Sequence, residues 1–250
     1  MMQKKIRLDR LLVEKGLAES REKARALILG GSVLVNGVVA DKAGAQVRPD
    51  DVPELKNKMP YVSRGGLKLE HAIEEFGISV KDKTAVDIGA STGGFTDCLL
   101  QYGAKKVYAV DVGYGQFHWR LRNDRRVVLL EKTNIRYLDT DSIPERADIV
   151  VIDVSFISLL KVMPKALELL RPGGEIIALI KPQFEAGKGE VGKGGVVRDE
   201  AKRLEIVEMI KRESEDAGLD VRGTTASPVR VPKGNVEFLI YLVKKTRPQP

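Results

Sequence analysis

Along the first fifty residues the apolar positions change period. Leu8, Leu11 and Leu12 recur at helical spacing, and Gly16 stands where that helix must stop. Ser20 can accept from the backbone of a following turn and so caps a second helix running to Leu29, which Gly30-Gly31 ends. Val33-Leu34-Val35 and Val38-Val39 then flank Asn36-Gly37, a pair that tolerates positive φ angles, so the pattern predicts strand, type I′ turn and strand. Residues 48–62 hold three prolines and no clean apolar period, which reads as a linker or loose edge. The chain is expected to divide into a small α+β unit over 1–58, a linker over 59–62 and a second unit over 63–250.

In the second unit short, nearly continuous apolar runs appear at 84–88, 106–110, 127–130, 149–152 and 175–180. Amphipathic stretches at 94–101, 159–170 and 200–217 separate several of them. Strands buried on both faces and joined by crossover helices make an open, mainly parallel α/β sheet. Residues 221–225 and 236–242 read as two final strands around a Pro/Gly-rich turn.

Composition narrows the possibilities. The chain of 250 residues is 43% apolar, enough for a full core. Its net charge is +7, and residues 1–60 hold 12 Lys+Arg against 8 Asp+Glu, so +4 of that charge sits in under a quarter of the chain. A basic N-terminal unit favours an anionic partner. Cys98 is the only cysteine and His71 and His118 the only histidines, so neither an intrachain disulfide nor a structural zinc site is expected, and no metal is assigned. The start, MMQKKIRLDR, lacks the apolar stretch of a signal peptide, and run 176–180 is far too short to cross a bilayer. A cytoplasmic protein without a membrane partner is expected; the oligomeric state is not written in the residues.

The run Val86-Asp87-Ile88-Gly89-Ala90-Ser91-Thr92-Gly93-Gly94-Phe95 leaves a strand and enters a helix. Glycines there let a ligand approach the backbone, and the exposed helix N–H groups suit a negatively polarised group. Asp111 closes the next strand 22 residues after Gly89, where Rossmann-like folds hold ribose hydroxyls with a carboxylate. Ala90 and Ser91 break the G-x-G-x-x-G spacing of dinucleotide binders, so S-adenosylmethionine fits better than NAD. A near P-loop at 187–194 fails because Gly194 stands where the magnesium-holding hydroxyl is required.

Four polar residues stand where such a sheet concentrates its chemistry. Asp153 ends the fourth run, Lys181 ends the fifth, Glu237 lies in the strand that begins Asn235-Val236, and Lys68 lies on the helix ahead of the first strand. Each has a plain structural alternative: a helix cap for Asp153, a snorkelling lysine, an outward-facing edge residue for Glu237. In order and sheet position the four resemble the Lys-Asp-Lys-Glu tetrad of FtsJ-like ribose 2′-O-methyltransferases, and Asp153-Val154-Ser155-Phe156 and Ile180-Lys181-Pro182-Gln183-Phe184 agree with it. The Gly-rich run likewise resembles the methyltransferase motif D-x-G-x-x-x-G-G-F. That resemblance makes Asp87, Gly89, Gly93 and Asp111 cofactor contacts, together with Ala90, Ser91, Gly94 and Phe95 of the same loop; Asn134 is a candidate for the adenine edge. A ribose hydroxyl is a weak nucleophile at neutral pH, so Lys181 is expected to serve either as base or as the group that orients the hydroxyl.

The segment from Arg7 to Leu17, followed by Ser20-Arg21-Glu22-Lys23-Ala24-Arg25 and the Asn36-Gly37 hairpin, is similar to the alpha-L RNA-binding domain of a small-subunit ribosomal protein, tyrosyl-tRNA synthetases and pseudouridine synthases. The resemblance makes Arg7, Arg21, Lys23, Arg25 and Lys42 candidate RNA contacts, although each alone is also an ordinary solvated charge. With few aromatics nearby, phosphate and RNA shape are the expected targets. The Gly/Lys-rich stretch 185–195, with Arg198, reads as a loop beside the active site that meets substrate.

Over residues 6–243 the whole chain resembles the TlyA, or hemolysin-A-like, family of rRNA methyltransferases. The resemblance implies a Rossmann-like class I S-adenosylmethionine methyltransferase sheet of seven strands, the last antiparallel, behind the small RNA-binding domain. It also implies ribosomal RNA or ribosomal subunits as partner and 2′-O-methylation, at cytidine, on one or both subunits. Two readings compete: a non-catalytic RNA-binding or ribosome-assembly factor that keeps the fold as scaffold, and a membrane-lytic protein, which rests on the family's historical name alone.

Overall fold

The computed structural model describes residues 5–55, 59–187, 191–192, 194–229 and 234–246. Two units emerge, Met1–Pro60 and Tyr61–Pro250. In the first, β1 (Ile6–Arg7) leads into α1 (Leu8–Glu14) and α2 (Arg21–Leu29), followed by β2 (Val33–Val35), β3 (Val38–Ala40), β4 (Gln46–Val47) and β5 (Pro53–Leu55). The Ser20 hydroxyl accepts from the Lys23 N–H at 3.2 Å, as an N-cap does. Asn36 and Gly37 have φ of 49° and 78°, the two left-handed residues that close the β2–β3 hairpin. Leu8, Leu12, Ala24, Ile28 and Val33 form the core.

Two features of this unit differ from expectation. Residues 53–55, read as part of a loose stretch, are the strand β5 and pair antiparallel with β2, Val35 opposite Pro53. A proline is tolerated because β5 is an edge strand, where one N–H has no ladder partner to lose. The β1–β4 pair, two residues on each side, is too short to register as a period.

The second unit comprises α3 (Gly65–Glu75), β6 (Thr84–Ile88), α4 (Gly94–Gln101), β7 (Lys106–Val110), α5 (Trp119–Arg122), β8 (Val127–Leu130), β9 (Ala147–Ile152), α6 (Met163–Leu169), β10 (Leu170–Ile180), α7 (Pro182–Glu185), α8 (Glu200–Asp216), β11 (Leu219–Ala226) and β12 (Phe238–Lys244). Its seven-stranded sheet has the order β11-β12-β10-β9-β6-β7-β8. The strands β6 to β10 run parallel to one another; β12 is antiparallel to both β10 and β11. Alternate residues face opposite layers: Val86, Val150 and Ile176 join one core cluster and Ala85, Val151 and Ile177 the other. That two-sided burial explains why the runs look continuously apolar rather than alternating.

Here too the boundaries move. The stretch 159–170 is not one helix: a 3-10 turn, Leu159–Lys161, precedes α6, whose first turn holds Pro164. A proline suits a helix start and breaks an interior, so the α-helix begins only there. Glu237 lies just ahead of β12 rather than inside a strand. Tyr61 is buried, its hydroxyl donates to Glu70 at 2.6 Å, and the Val62 N–H donates to Asp97 at 2.8 Å, so these two residues already belong to the second unit. Among the described residues no helix is long and apolar enough to cross a membrane.

Candidate active site

The parallel strands β6, β7, β9 and β10 end at one edge of the sheet, so their next residues, Gly89, Asp111, Asp153 and Lys181, are delivered side by side. The last strand runs the other way, and Phe238 pairs with Ile180. Its beginning is therefore at that same edge, and Glu237 arrives next to Lys181 from the opposite chain direction. Lys68 reaches in from α3.

The four side chains form a continuous chain of opposite charges. The Lys68 Nζ donates to the Glu237 carboxylate at 2.7 Å and stands 3.7 Å from Asp153. The other Asp153 oxygen lies 2.5 Å from the Lys181 Nζ, which also donates to the Ser155 hydroxyl at 3.0 Å. Glu237 is 4% exposed and Lys181 6%, so these charges are paired because they are scarcely solvated. Asp153 is engaged by both lysines, Lys181 is buried rather than snorkelling to water, and Glu237 is buried rather than facing outward.

Beside this chain lies the Gly-rich turn. Gly89 and Gly93 have φ of 86° and 93°. A Cβ on Gly89 would come within 2.5 Å of the Asp153 carbonyl oxygen, and one on Gly93 within 2.5 Å of Leu121. Gly93 is the N-cap of α4 and gives it no side-chain cap; Asp87 meets the Thr96 backbone N–H, so it is the Gly94 and Phe95 N–H groups that stand ahead of the first helical bond. Asp111 accepts from the Ser91 N–H at 2.7 Å and from the Gly113 N–H at 2.7 Å, which fixes its carboxylate at the lip of the loop. A cavity of about 630 Å³ opens between Asp111, Asn134, Ser155 and Phe156, and a second of about 260 Å³ between Ser63, Lys68 and Phe95. Gly89, Ser91 and Asp153 border both. The larger volume is in the range that holds a nucleoside-sized ligand. Ala90 and Gly94 line the smaller one.

Asp87 is placed differently from its loop neighbours. It is wholly buried within β6, accepts from the Thr96 hydroxyl at 2.6 Å, and has one oxygen without a hydrogen-bond partner among the described residues. Burial, with the Asp153 and Asp111 carboxylates adding to it, raises its pKa to about 7 against the pull of Thr96. It supports the loop from behind and does not border either cavity. Asn134 caps a 3-10 turn through its side chain and lines the larger cavity.

Ser155 and Phe156 stand in the sequence only inside the phrase that resembles the tetrad and Glu185 only at the start of the 185–195 loop, none with a role of its own; Glu185 ends α7 rather than opening a loop. Phe156 has φ of 64°, is 91% exposed, and sits 5.1 Å from the Phe184 ring. A non-glycine residue held in that conformation is a strained feature of the kind found at functional sites. Glu185 accepts from the Ser158 hydroxyl at 2.6 Å and from the Leu159 N–H at 2.7 Å, tying α7 to the loop that carries Asp153 and Ser155. No local pattern marks these residues; only the strand-end position of the Asp153-to-Phe156 phrase hinted at two of them. Of the stretch 185–195, residues 188–190 and 193 lie outside the described residues.

In the first unit Arg7 and Arg21 both contact Asp9, Lys23 pairs with Glu19, and Arg25 and Lys42 are exposed. All five are on one unit and none is buried.

Comparison with known proteins adds to this geometry. Residues 61–244 match the FtsJ-like methyltransferase family and residues 6–53 match the S4 domain. YqxC of Bacillus subtilis is 51% identical over 97% of this chain and 87% of that protein. The 16S/23S rRNA (cytidine-2′-O)-methyltransferase TlyA of Mycobacterium tuberculosis is 45% identical over 98% of this chain and 92% of its own. A solved structure of a candidate hemolysin from Streptococcus thermophilus is 44% identical, with a TM-score of 0.75 over 100% of this chain and 91% of that one.

Proposed function

This chain belongs to the FtsJ-like methyltransferase family and carries an S4 domain ahead of the catalytic unit, and from that premise we propose that it moves a methyl group from S-adenosylmethionine to a ribose 2′-hydroxyl of ribosomal RNA. Cytidine is the nucleoside we assign, after the relative TlyA, in small-subunit RNA, large-subunit RNA or both. The observation that carries the reading is the paired run Glu237, Lys68, Asp153, Lys181, Ser155, of which Asp153 borders both cavities, Lys68 the smaller and Ser155 the larger.

S-adenosylmethionine, when bound, supplies an electrophilic methyl carbon on a sulfonium. Gly89 and Gly93 would let it lie against the backbone, Asp111 would accept from its ribose hydroxyls, and the Gly94 and Phe95 N–H groups at the start of α4 would meet its carboxylate. Asn134 would face the adenine edge, and Ala90, Ser91, Gly94 and Phe95 would line the approach. Asp87 keeps the loop in place through Thr96.

The incoming hydroxyl needs its oxygen aimed as the new O–C bond forms and the methyl–sulfur bond breaks to leave a neutral thioether, its proton passing to bulk solvent. Lys181 has three N–H donors; Asp153 and Ser155 take two, which leaves one for the ribose oxygen. That arrangement supports Lys181 as the group that orients the hydroxyl and offsets its developing negative charge. Lys68, clamped between Glu237 and Asp153, keeps Asp153 from turning away. Well-held reactants can gain roughly 7–11 kcal/mol, so positioning can supply a large part of the catalysis. Phe156 offers an exposed aromatic face beside the site, of the sort on which a splayed RNA base stacks. Arg7, Arg21, Lys23, Arg25 and Lys42 bind RNA phosphates and hold the substrate. Ribosomal RNA as substrate puts this work in the cytoplasm.

Incubating the protein with tritiated S-adenosylmethionine and ribosomal subunits lacking the modification, then mapping the label, tests the proposal. Label on a ribose 2′-oxygen is expected. Absence of S-adenosylmethionine binding by calorimetry would overturn it in favour of a scaffold.

A further inference from the structure

The S4 unit buries one carboxylate. Asp9, on the first turn of α1, has no exposed surface, and its partners are two arginines. The Arg7 Nε donates to one oxygen at 3.1 Å and its Nη2 to the other at 2.8 Å, a two-pronged contact. The Arg21 Nη2 donates to that second oxygen at 3.3 Å. Both guanidiniums keep an outer face, since the Arg7 side chain is 45% exposed and the Arg21 side chain 60%. The backbone of Gly44 lies against the Arg7 guanidinium, where even a Cβ would come within 3.4 Å of Nη1.

Burying an ionised carboxylate is costly, and a well-packed apolar residue usually stabilises a fold as well or better. An acid at this place also subtracts charge from a face read as RNA-binding. Both objections vanish if the acid serves to aim the arginines. Two guanidiniums sharing one carboxylate oxygen stand within roughly 6 Å of each other, close enough to repel without it, and long side chains would otherwise wave apart. Each retains N–H donors not directed at Asp9.

We propose that Asp9 is the positioning residue of a phosphate clamp: it holds the Arg7 and Arg21 forks side by side so that their outer N–H groups receive one phosphodiester of the RNA backbone. The inference rests on the reading of this unit as RNA-binding. The carboxylate is held well below its ordinary pKa, to about 2, by the Arg7 contact, so it stays charged over the whole working range. What it contributes is preorganisation, by which affinity rises because less freedom is lost on binding.

The sign of one substitution separates this from simple charge counting. Asp9→Asn removes a negative charge from a basic face and should tighten RNA binding if charge alone matters. The clamp requires the reverse. Binding of the full chain to in-vitro-transcribed 16S and 23S rRNA is measured between about 50 and 200 mM salt. Asp9→Asn is expected to bind about fivefold to tenfold more weakly, with the slope of log affinity against log salt reduced by about 0.9, one phosphate contact. The Arg7→Lys/Arg21→Lys double variant, which keeps every charge but loses both forks, is expected to show a similar loss. Equal or tighter binding by a cooperatively folding Asp9→Asn overturns the clamp. Should Asp9→Asn fail to fold, wild-type affinity and slope in the double lysine variant overturn it instead. If Arg7→Ala/Arg21→Ala binds as the wild type does, these arginines are not RNA contacts, and the underlying reading of their role fails along with the clamp.

Discussion

Adding one methyl group at Gly89 should disable the catalytic centre without unfolding the protein. Gly89 has φ of 86°, and a Cβ there would stand 2.5 Å from the Asp153 carbonyl oxygen and 2.9 Å from its carbon. The left-handed backbone costs an alanine about 1–2 kcal/mol. Carbon and oxygen normally approach no closer than about 3.3 Å, so roughly 0.8 Å must be recovered by movement. The obstacle is strand-end backbone, not the tip of a flexible side chain, and the residue that must shift is the one whose carboxylate holds Lys181 at 2.5 Å. A misplacement of about 1 Å in such a constellation can cost about 100-fold in rate. Gly89→Ala is therefore expected to lower the single-turnover rate of methyl transfer about 100-fold and to weaken S-adenosylmethionine binding, while global stability falls by about 1–3 kcal/mol. Rapid-quench transfer from tritiated S-adenosylmethionine, calorimetry and thermal unfolding read the three effects. A folded variant that turns over within about threefold of the wild type would refute the reasoning, because it would show that the loop and the Asp153 carboxylate are not mechanically joined.

Lys181→Ala should slow single-turnover methylation about 10²–10⁴-fold with RNA affinity little changed; an unchanged rate would remove Lys181 from the mechanism. Glu185→Ala releases the Ser158 hydroxyl and the Leu159 N–H, and should lower kcat about tenfold while leaving S-adenosylmethionine affinity alone, whereas equal loss of both would mean a general collapse of the site. Asp87 carries a pH signature. Its folded pKa of about 7 lies above the ordinary 3.8, so its contribution to stability is fully present below about pH 4 and is lost as pH rises through 7. Asp87→Asn lacks that titration, and the stability difference between wild type and variant should shift in the variant's favour between about pH 4 and 7; a shift the other way, followed by thermal unfolding, would contradict the assigned burial.

Much of this molecule is legible in local pattern. The Ser20 cap, the Asn36-Gly37 turn and the strands β6, β7 and β8 sit where periodicity and turn chemistry put them, because each depends on neighbours a few residues away. The Gly-rich turn and the order of Lys68, Asp153, Lys181 and Glu237 are legible too, as a motif resemblance. What the chain alone does not disclose is which partner each charge takes. Lys68 and Glu237 are 169 residues apart in sequence and 2.7 Å apart in space. Their meeting depends on β12 inserting between β10 and β11 and running backwards, a choice of pairing made by whole strands. Ser155 and Glu185 acquire their roles the same way, across loops that become neighbours only after the sheet closes. In the first unit Asp9 looks like any acid on a helix, and β5 like a stray proline stretch, until burial and strand pairing give them partners. Periodicity reports what a segment buries, which is set by adjacent residues. Which buried or charged groups then touch is set by long-range strand order, and no short window of sequence contains it.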